Sequence, residues 1–166
     1  MSQYDTKGIT MTIAEDDISP GEYQALAEFR YSIRRFLHFS EQTARAAGLE
    51  AQQHQALLAL KGLPGGKQAT ISYLAERLQL QHHSAVELVD RLVERNLVQR
   101  QRDETDQRRV FVHLTAHGEE VLRDLSLHHR TELRSSGPAL VQTLNALLAH
   151  NLEQTENFSE TQGEIQ

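Results

Sequence analysis

Residues 95–118 read Arg-Asn-Leu-Val-Gln-Arg-Gln-Arg-Asp-Glu-Thr-Asp-Gln-Arg-Arg-Val-Phe-Val-His-Leu-Thr-Ala-His-Gly. They describe a helix end, a strand, a polar basic tip, a second strand and a helix start. Asn96 stands where a left-handed C-terminal cap is expected, asparagine being the usual second choice after glycine. Leu97 to Arg102 and Arg109 to Leu114 alternate in period two. Val110, Val112 and Leu114 fall on one side, Phe111 and His113 on the other. Asp103 to Arg108, between the strands, is entirely polar. Thr115 can cap the following helix, with Gly118 in its first turn.

Two short amphipathic segments lie directly upstream. Residues 70–79 predict a helix with Ile71, Leu74, Ala75 and Leu78 inward. A turn at Gln79-Leu80-Gln81 separates it from a helix over His82 to Arg95. The inner face of that helix is Ala85, Leu88, Val89 and Leu92; its outer face is Ser84, Glu87, Arg91 and Glu94. Farther upstream, residues 51–62 form a helix with Ala56, Leu57 and Leu60 inward, ended by Pro64-Gly65-Gly66. Ser19-Pro20-Gly21-Glu22 has the form of a helix start: Ser19 as N-cap, Pro20 at the first helical position, Glu22 completing a capping box. That helix runs to about Ala47 with Leu26, Phe29, Ile33, Phe36 and Leu37 as its apolar stripe, and Gly48 ends it. Downstream, one helix is predicted over Ala116 to Arg134, with Val121, Leu122, Leu125 and His129 on its apolar side. Ser135-Ser136-Gly137-Pro138 interrupts it, and a last helix spans Ala139 to Glu153.

The predicted fold is mainly α with a small β-hairpin wing: a winged helix-turn-helix flanked by long N- and C-terminal helices. Residues 1–18 read as a flexible acidic arm, 19–155 as one domain and 156–166 as a disordered tail. Within the domain, 51–114 form the winged-helix lobe. Residues 19–47 and 116–153 have an obvious use as a dimerisation layer, so self-association is expected.

Composition bounds the function. The 166 residues contain no cysteine, which excludes disulfides, thiolate metal sites, cysteine nucleophiles and thiol redox switching. No apolar run approaches the ~20 residues of a membrane span, and no secretory core is visible, so a cytoplasmic protein is expected. The net charge of −6 has the wrong sign for a naive nucleic-acid reading, but its distribution matters more. The two ends are acidic, whereas residues 95–109 hold five arginines against three acids.

A recognition helix presents polar or basic side chains on its N-terminal turns, because those turns enter the major groove. Here that set is Gln81, His82, His83, Ser84, Glu87 and Arg91. Glutamine can pair with adenine, arginine with guanine, and glutamate can accept from cytosine. At the hairpin, Arg108, Arg109 and Arg102 present guanidinium groups suited to the narrow, electronegative minor groove and its phosphates. Asp106 and Asp90 are candidates for holding Arg108. An exposed helix face alone is more often just solvated surface; the adjoining basic hairpin changes that balance toward double-stranded DNA as partner.

The series Leu74-Ala75, Leu78, Leu80, Ser84-Ala85-Val86, Leu88-Val89-Asp90-Arg91-Leu92, Leu97-Val98, Asp106-Gln107-Arg108, Leu114-Thr115 and Gly118 resembles the MarR family of bacterial transcriptional regulators. The likeness is most specific over residues 70–118. It implies an obligate homodimeric repressor on a near-palindromic operator, commonly released by a small, often aromatic or phenolic, ligand or by an oxidant. By position, Arg108 matches the family's wing arginine, Asp106 the wing aspartate and Asp90 the recognition-helix aspartate. The chain departs from the pattern at Gln81, where Ser or Thr often caps the recognition helix, at Gln107, where an arginine is common, and at Asn96, where glycine is usual.

With thiol chemistry excluded, the expected switch is an apolar or aromatic ligand between the dimer layer and the winged helix, with Phe36, His38, Phe39 and His54 as candidate liners. A rival is pH sensing through His82 and His83. Metal control is a further alternative, although adjacent histidines such as His82-His83 and His128-His129 point about 100° apart on a helix and make no same-face pair. No phosphate loop, nucleophile elbow, paired-carboxylate motif or cofactor signature is present; Gly65-Gly66-Lys67 is too short. A winged-helix interaction module without DNA binding is the remaining alternative, and the wing arginines argue against it.

Overall fold

The computed structural model describes residues 18–65, 67–106 and 108–161, with side chains to residue 149. The acidic arm, apart from Ile18, and the last five residues lie outside the described residues. The order is α1 (Pro20–Ala46), α2 (Ala51–Lys61), β1 (Ala69–Thr70), α3 (Ile71–Arg77), α4 (His82–Glu94), β2 (Val98–Arg102), β3 (Val110–Leu114) and α5 (Ala116–Thr161). Two compact units emerge, residues 31–140 and a smaller one containing 18–30 and 141–161; α1 and α5 each contribute to both.

In the larger unit the core is built from Leu57, Leu74, Leu88, Val89, Leu92, Leu97, Val98, Val112, Leu122 and Leu125, all buried. The inner face of α4 is the one predicted: Ala85, Leu88, Val89 and Leu92 are buried. Each such side chain removed from water contributes roughly 1.5–3 kcal/mol, apart from the alanine.

Three helices end in the same way. Gly48, Gln79 and Asn96 have φ of 73°, 54° and 54°. The next residue, a leucine each time, donates its N–H back to a carbonyl five residues earlier: Leu49 to Ala44 (2.8 Å), Leu80 to Ala75 (2.8 Å) and Leu97 to Leu92 (2.9 Å). These are Schellman closures of α1, α3 and α4, and the leucine packs inward in each. The left-handed cap expected at Asn96 is therefore present.

The sheet has the order β1-β3-β2 and is antiparallel throughout. β2 pairs with β3 from Val98↔Leu114 to Arg102↔Val110. The two-residue β1, absent from the sequence reading, pairs Ala69 with Val112 and Thr70 with Phe111. Thr70 then caps α3 by accepting the Tyr73 N–H at 3.2 Å. With strands on both sides, β3 is central. Phe111 and Val112, on opposite faces of the strand, are both buried.

α5 corrects an expectation. It passes without a break through Ser135-Ser136-Gly137-Pro138 and beyond Glu153 to Thr161. Pro138 costs the Arg134 carbonyl its helical donor. The residue before a proline is normally pushed out of the α region by a clash involving its Cβ; Gly137 has none. The Ser136 hydroxyl donates to the Glu132 carbonyl at 3.0 Å, supporting the turn from outside.

In the smaller unit the capping box at the start of α1 is present: the Ser19 N–H donates to Glu22 Oε2 (2.7 Å) and the Glu22 N–H to Ser19 Oγ (3.2 Å). Tyr23, Leu26, Val141, Leu144 and Leu148 are exposed here, and Leu37, Leu127 and Leu133 are exposed in the larger unit.

Candidate nucleic-acid interface

α4 presents the predicted readers. Gln81 is its N-cap but makes no side-chain cap hydrogen bond, unlike the Ser or Thr that would cap the helix there. Gln81, His82, His83, Glu87 and Arg91 are exposed, and Ser84 is half-buried beside Ala85. This face carries no competing protein partner for Arg91 among the described residues.

The wing is built by hydrogen bonds around Asp103. Its Oδ1 accepts from the Thr105 hydroxyl (2.7 Å), the Thr105 N–H (2.8 Å) and the Asp106 N–H (3.3 Å). Those bonds, led by that from the Thr105 hydroxyl and helped by Arg109, hold the Asp103 carboxyl below the usual carboxylate range. The Asp103 N–H donates to the Arg109 carbonyl (3.0 Å), and the Arg109 N–H donates to that of Asp106 (2.9 Å).

Asp106 Oδ1 accepts the backbone N–H of Arg108 at 3.1 Å. It thus orients the residue through its main chain, while the Arg108 guanidinium has no partner among the described residues. Arg102, at the end of β2, is exposed and also unpartnered. Arg109 is committed differently: its guanidinium lies 5.4 Å from the centre of the Phe111 ring and 3.9 Å from Asp103 Oδ2. Gln107 lies outside the described residues.

Asp90 does not hold Arg108. Its Oδ1 lies 2.6 Å from Arg100 Nη1 on β2. The register puts Arg108 opposite residue 104, four residues beyond Arg100 along the ribbon, or about 13 Å. The acid–base pair therefore ties the recognition helix to the base of the wing rather than to its tip.

The four expected pocket residues are not brought together. Phe36 and His54 line a cavity of about 420 Å³ with Leu58, Ser126, His129, Arg130, Leu133 and Arg134. Phe39 lines another, of about 550 Å³, between α1 and α5. His38 faces away and contacts Gln42 at 2.9 Å, because two residues along a helix is about 200° of rotation from Phe36.

His129 is the residue that the site reading missed, although its spacing from Leu122 and Leu125 marked it as inward. It is buried, with Nδ1 donating to the Leu125 carbonyl (2.7 Å), so Nε2 accepts from the Ser40 hydroxyl (2.8 Å). Phe36 and Phe39 meet its ring edge-on, and the His54 ring lies 4.6 Å away, tilted by 32°. His54 Nδ1 is buried without a hydrogen-bond partner. Burial first, and His129 second, lower the His54 pKa to about 4. Among the described residues no group of three His, Asp or Glu side chains is placed to hold a metal ion, and no helix is long and apolar enough to cross a membrane.

Comparison with known proteins agrees with this geometry. A sequence model of the MarR family matches residues 47–109. No curated protein matches the chain. Among solved structures, AbsC, a MarR family transcriptional regulator from Streptomyces coelicolor, is 24% identical, with a TM-score of 0.66 over 86% of this chain and 99% of its own. A MepR mutant from S. aureus bound to an oligodeoxyribonucleotide is 20% identical, with a TM-score of 0.54 over 90% of this chain and 100% of its own. BpsR of Bordetella bronchiseptica, whose DNA binding is regulated by 6-hydroxynicotinic acid, is 22% identical, with a TM-score of 0.56 over 73% and 87%. At these identities the likeness bears on the fold, and the sequence match is confined to residues 47–109. Residues 47–109 thus carry the sequence pattern of the MarR family, and the solved structures that share this fold include MarR family transcriptional regulators.

Proposed function

We propose that the protein is a cytoplasmic homodimeric repressor that reads a near-palindromic operator and releases it when a small apolar or aromatic ligand binds. The observation that carries the DNA reading is the exposed Arg108 guanidinium, without a partner among the described residues, on a hydrogen-bonded wing beside the exposed polar face of α4. In this reading His82, His83, Ser84 and Glu87 specify bases. Arg91 and Arg102 meet phosphates, Arg109 stiffens the wing, and Arg108 enters the minor groove.

The second copy is supported by the leucines and tyrosines exposed on α1 and α5, where a monomer leaves apolar surface in water. Two-fold pairing would set the two α4 helices about 34 Å apart, one turn of DNA. Sedimentation of the full chain is expected to give a dimer mass; a monomer at micromolar concentration would remove this part of the reading.

The ligand is supported by the cavity at Phe36 and His54, where Arg130 and Arg134 add positive charge. BpsR shows that a neighbour in fold answers to an aromatic acid. Such a ligand acts only through a difference in affinity between DNA-bound and released states. A panel of aromatic acids should therefore contain compounds that change both DNA affinity and melting temperature.

DNA reading is tested by selecting duplexes from a random pool with the full chain and repeating the binding with Arg108→Ala. The substitution is expected to weaken binding by roughly 1–3 kcal/mol while the protein stays folded. Unchanged affinity at several salt concentrations would take Arg108 out of the groove.

A further inference from the structure

We propose that Arg95 is a positioning residue for DNA reading, fastening the C-terminal end of α4 to the turn between α1 and α2. This rests on α4 being the helix that enters the groove. Apolar burial fixes which face of α4 points inward, but it is non-directional and resists sliding or rocking poorly. Directional contacts must set the angle. Among the described residues, two side chains of α4 and its C-cap residue reach out to make such ties, while the Asn96 carbonyl just beyond accepts the Thr115 hydroxyl at the start of α5. Asp90 holds Arg100 on β2, and this keeps helix and wing together as one piece. Arg95 is the side chain that ties the piece to the turn between α1 and α2.

Arg95 is the C-cap residue of α4. Its Nη1 donates to the Gly48 carbonyl at 2.6 Å and to Gln53 Oε1 at 3.1 Å. Gly48 is the left-handed residue that closes α1. Gln53 is buried, 3% exposed, and the same Oε1 accepts the Glu50 N–H at 3.0 Å, half of the capping box that starts α2. One guanidinium nitrogen therefore sits on the end of one helix and the start of the next. These bonds carry charge, which makes them stronger than ordinary amide bonds. The adjacent residue, His54, lies against His129 and lines the cavity. A shift of the first turn of α2 moves Gln53 and His54 together, and Arg95 passes it to the DNA-reading helix.

The test uses the full chain and a duplex enriched from a random pool by the wild-type protein, with salt titration, repeated selection and thermal melting as readouts. Arg95→Ala and Gln53→Met are each expected to weaken binding about tenfold, with the same consensus and the same salt slope. The double variant is expected to be no weaker than either single one, because the two residues act through one contact. Gln53→Glu keeps the acceptor and is expected to stay within about twofold of wild type. A salt slope reduced by about one in Arg95→Ala would instead make Arg95 a phosphate contact and overturn the proposal. So would a lowered melting temperature with unchanged affinity, or losses that multiply in the double variant. A wild-type chain that enriches no duplex would remove the DNA reading itself, and this inference with it.

Discussion

Gly118→Ala is expected to destabilise the protein by about 3 kcal/mol and lower its melting temperature by roughly 6–12 °C. A Cβ at this position would lie 2.0 Å from the Leu97 carbonyl oxygen and 2.9 Å from its carbon. The obstruction is backbone, so it cannot rotate away. The same carbonyl accepts the Thr115 N–H at 3.1 Å. Thr115 in turn donates its hydroxyl to the Asn96 carbonyl (2.6 Å) and accepts the Gly118 N–H (3.0 Å). Relieving the overlap means lifting the start of α5 off this junction and losing several of those bonds together. The better helix propensity of alanine opposes the loss, but by at most about 1 kcal/mol. Urea and thermal denaturation measure the outcome. A melting point within two degrees of wild type would mean that α5 can slide away from Leu97 at little cost.

The second large effect is on pH. His54 is held neutral, its pKa lowered from 6.5 to about 4. The unfolded chain takes up this proton as pH falls through 6.5, while the folded chain does not until about 4. Between those values the unfolded state binds more protons, so stability rises with pH. The contribution is complete above the upper value and lost on acidification toward the lower one, a span of roughly 3 kcal/mol. His129 and two arginines, Arg130 and Arg134, share the surroundings, and Nδ1 of His54 has no acceptor for an added proton. His54→Leu is expected to flatten the stability profile between pH 4 and 6.5, measured as denaturant midpoints against pH. A profile identical to wild type would assign the acid sensitivity to other histidines.

What the sequence made legible is what short-range pattern controls. The face of α4, the two strands around a polar tip, the caps at Ser19, Thr115 and Asn96, and the family likeness over 70–118 all depend on spacings of two to five residues. β1 was invisible because Ala69-Thr70 is too short to show alternation. The continuity of α5 was hidden by Pro138, a residue that usually kinks or ends a helix and whose clash with the preceding residue is eased here by Gly137. The Asp90–Arg100 pair needed strand register as well as residue type. The separation of Phe36 and His54 from Phe39, and the meeting of His54 with His129, depend on how helices distant in sequence pack, which no local periodicity encodes.

The leucines left bare on α1 and α5 bear on dosage. With the second copy that we propose, the apolar side chains these helices leave exposed are buried only bimolecularly, so assembly depends on how much chain is present. In the dilute regime the concentration of paired, groove-spanning species rises with the square of total chain. Each operator would then answer steeply to synthesis and dilution: a modest fall in protein level at cell division would empty it more than proportionally, even with no effector in the cell. The hydrophobic seam would act as a threshold on copy number, set by the same side chains that hold the helices together.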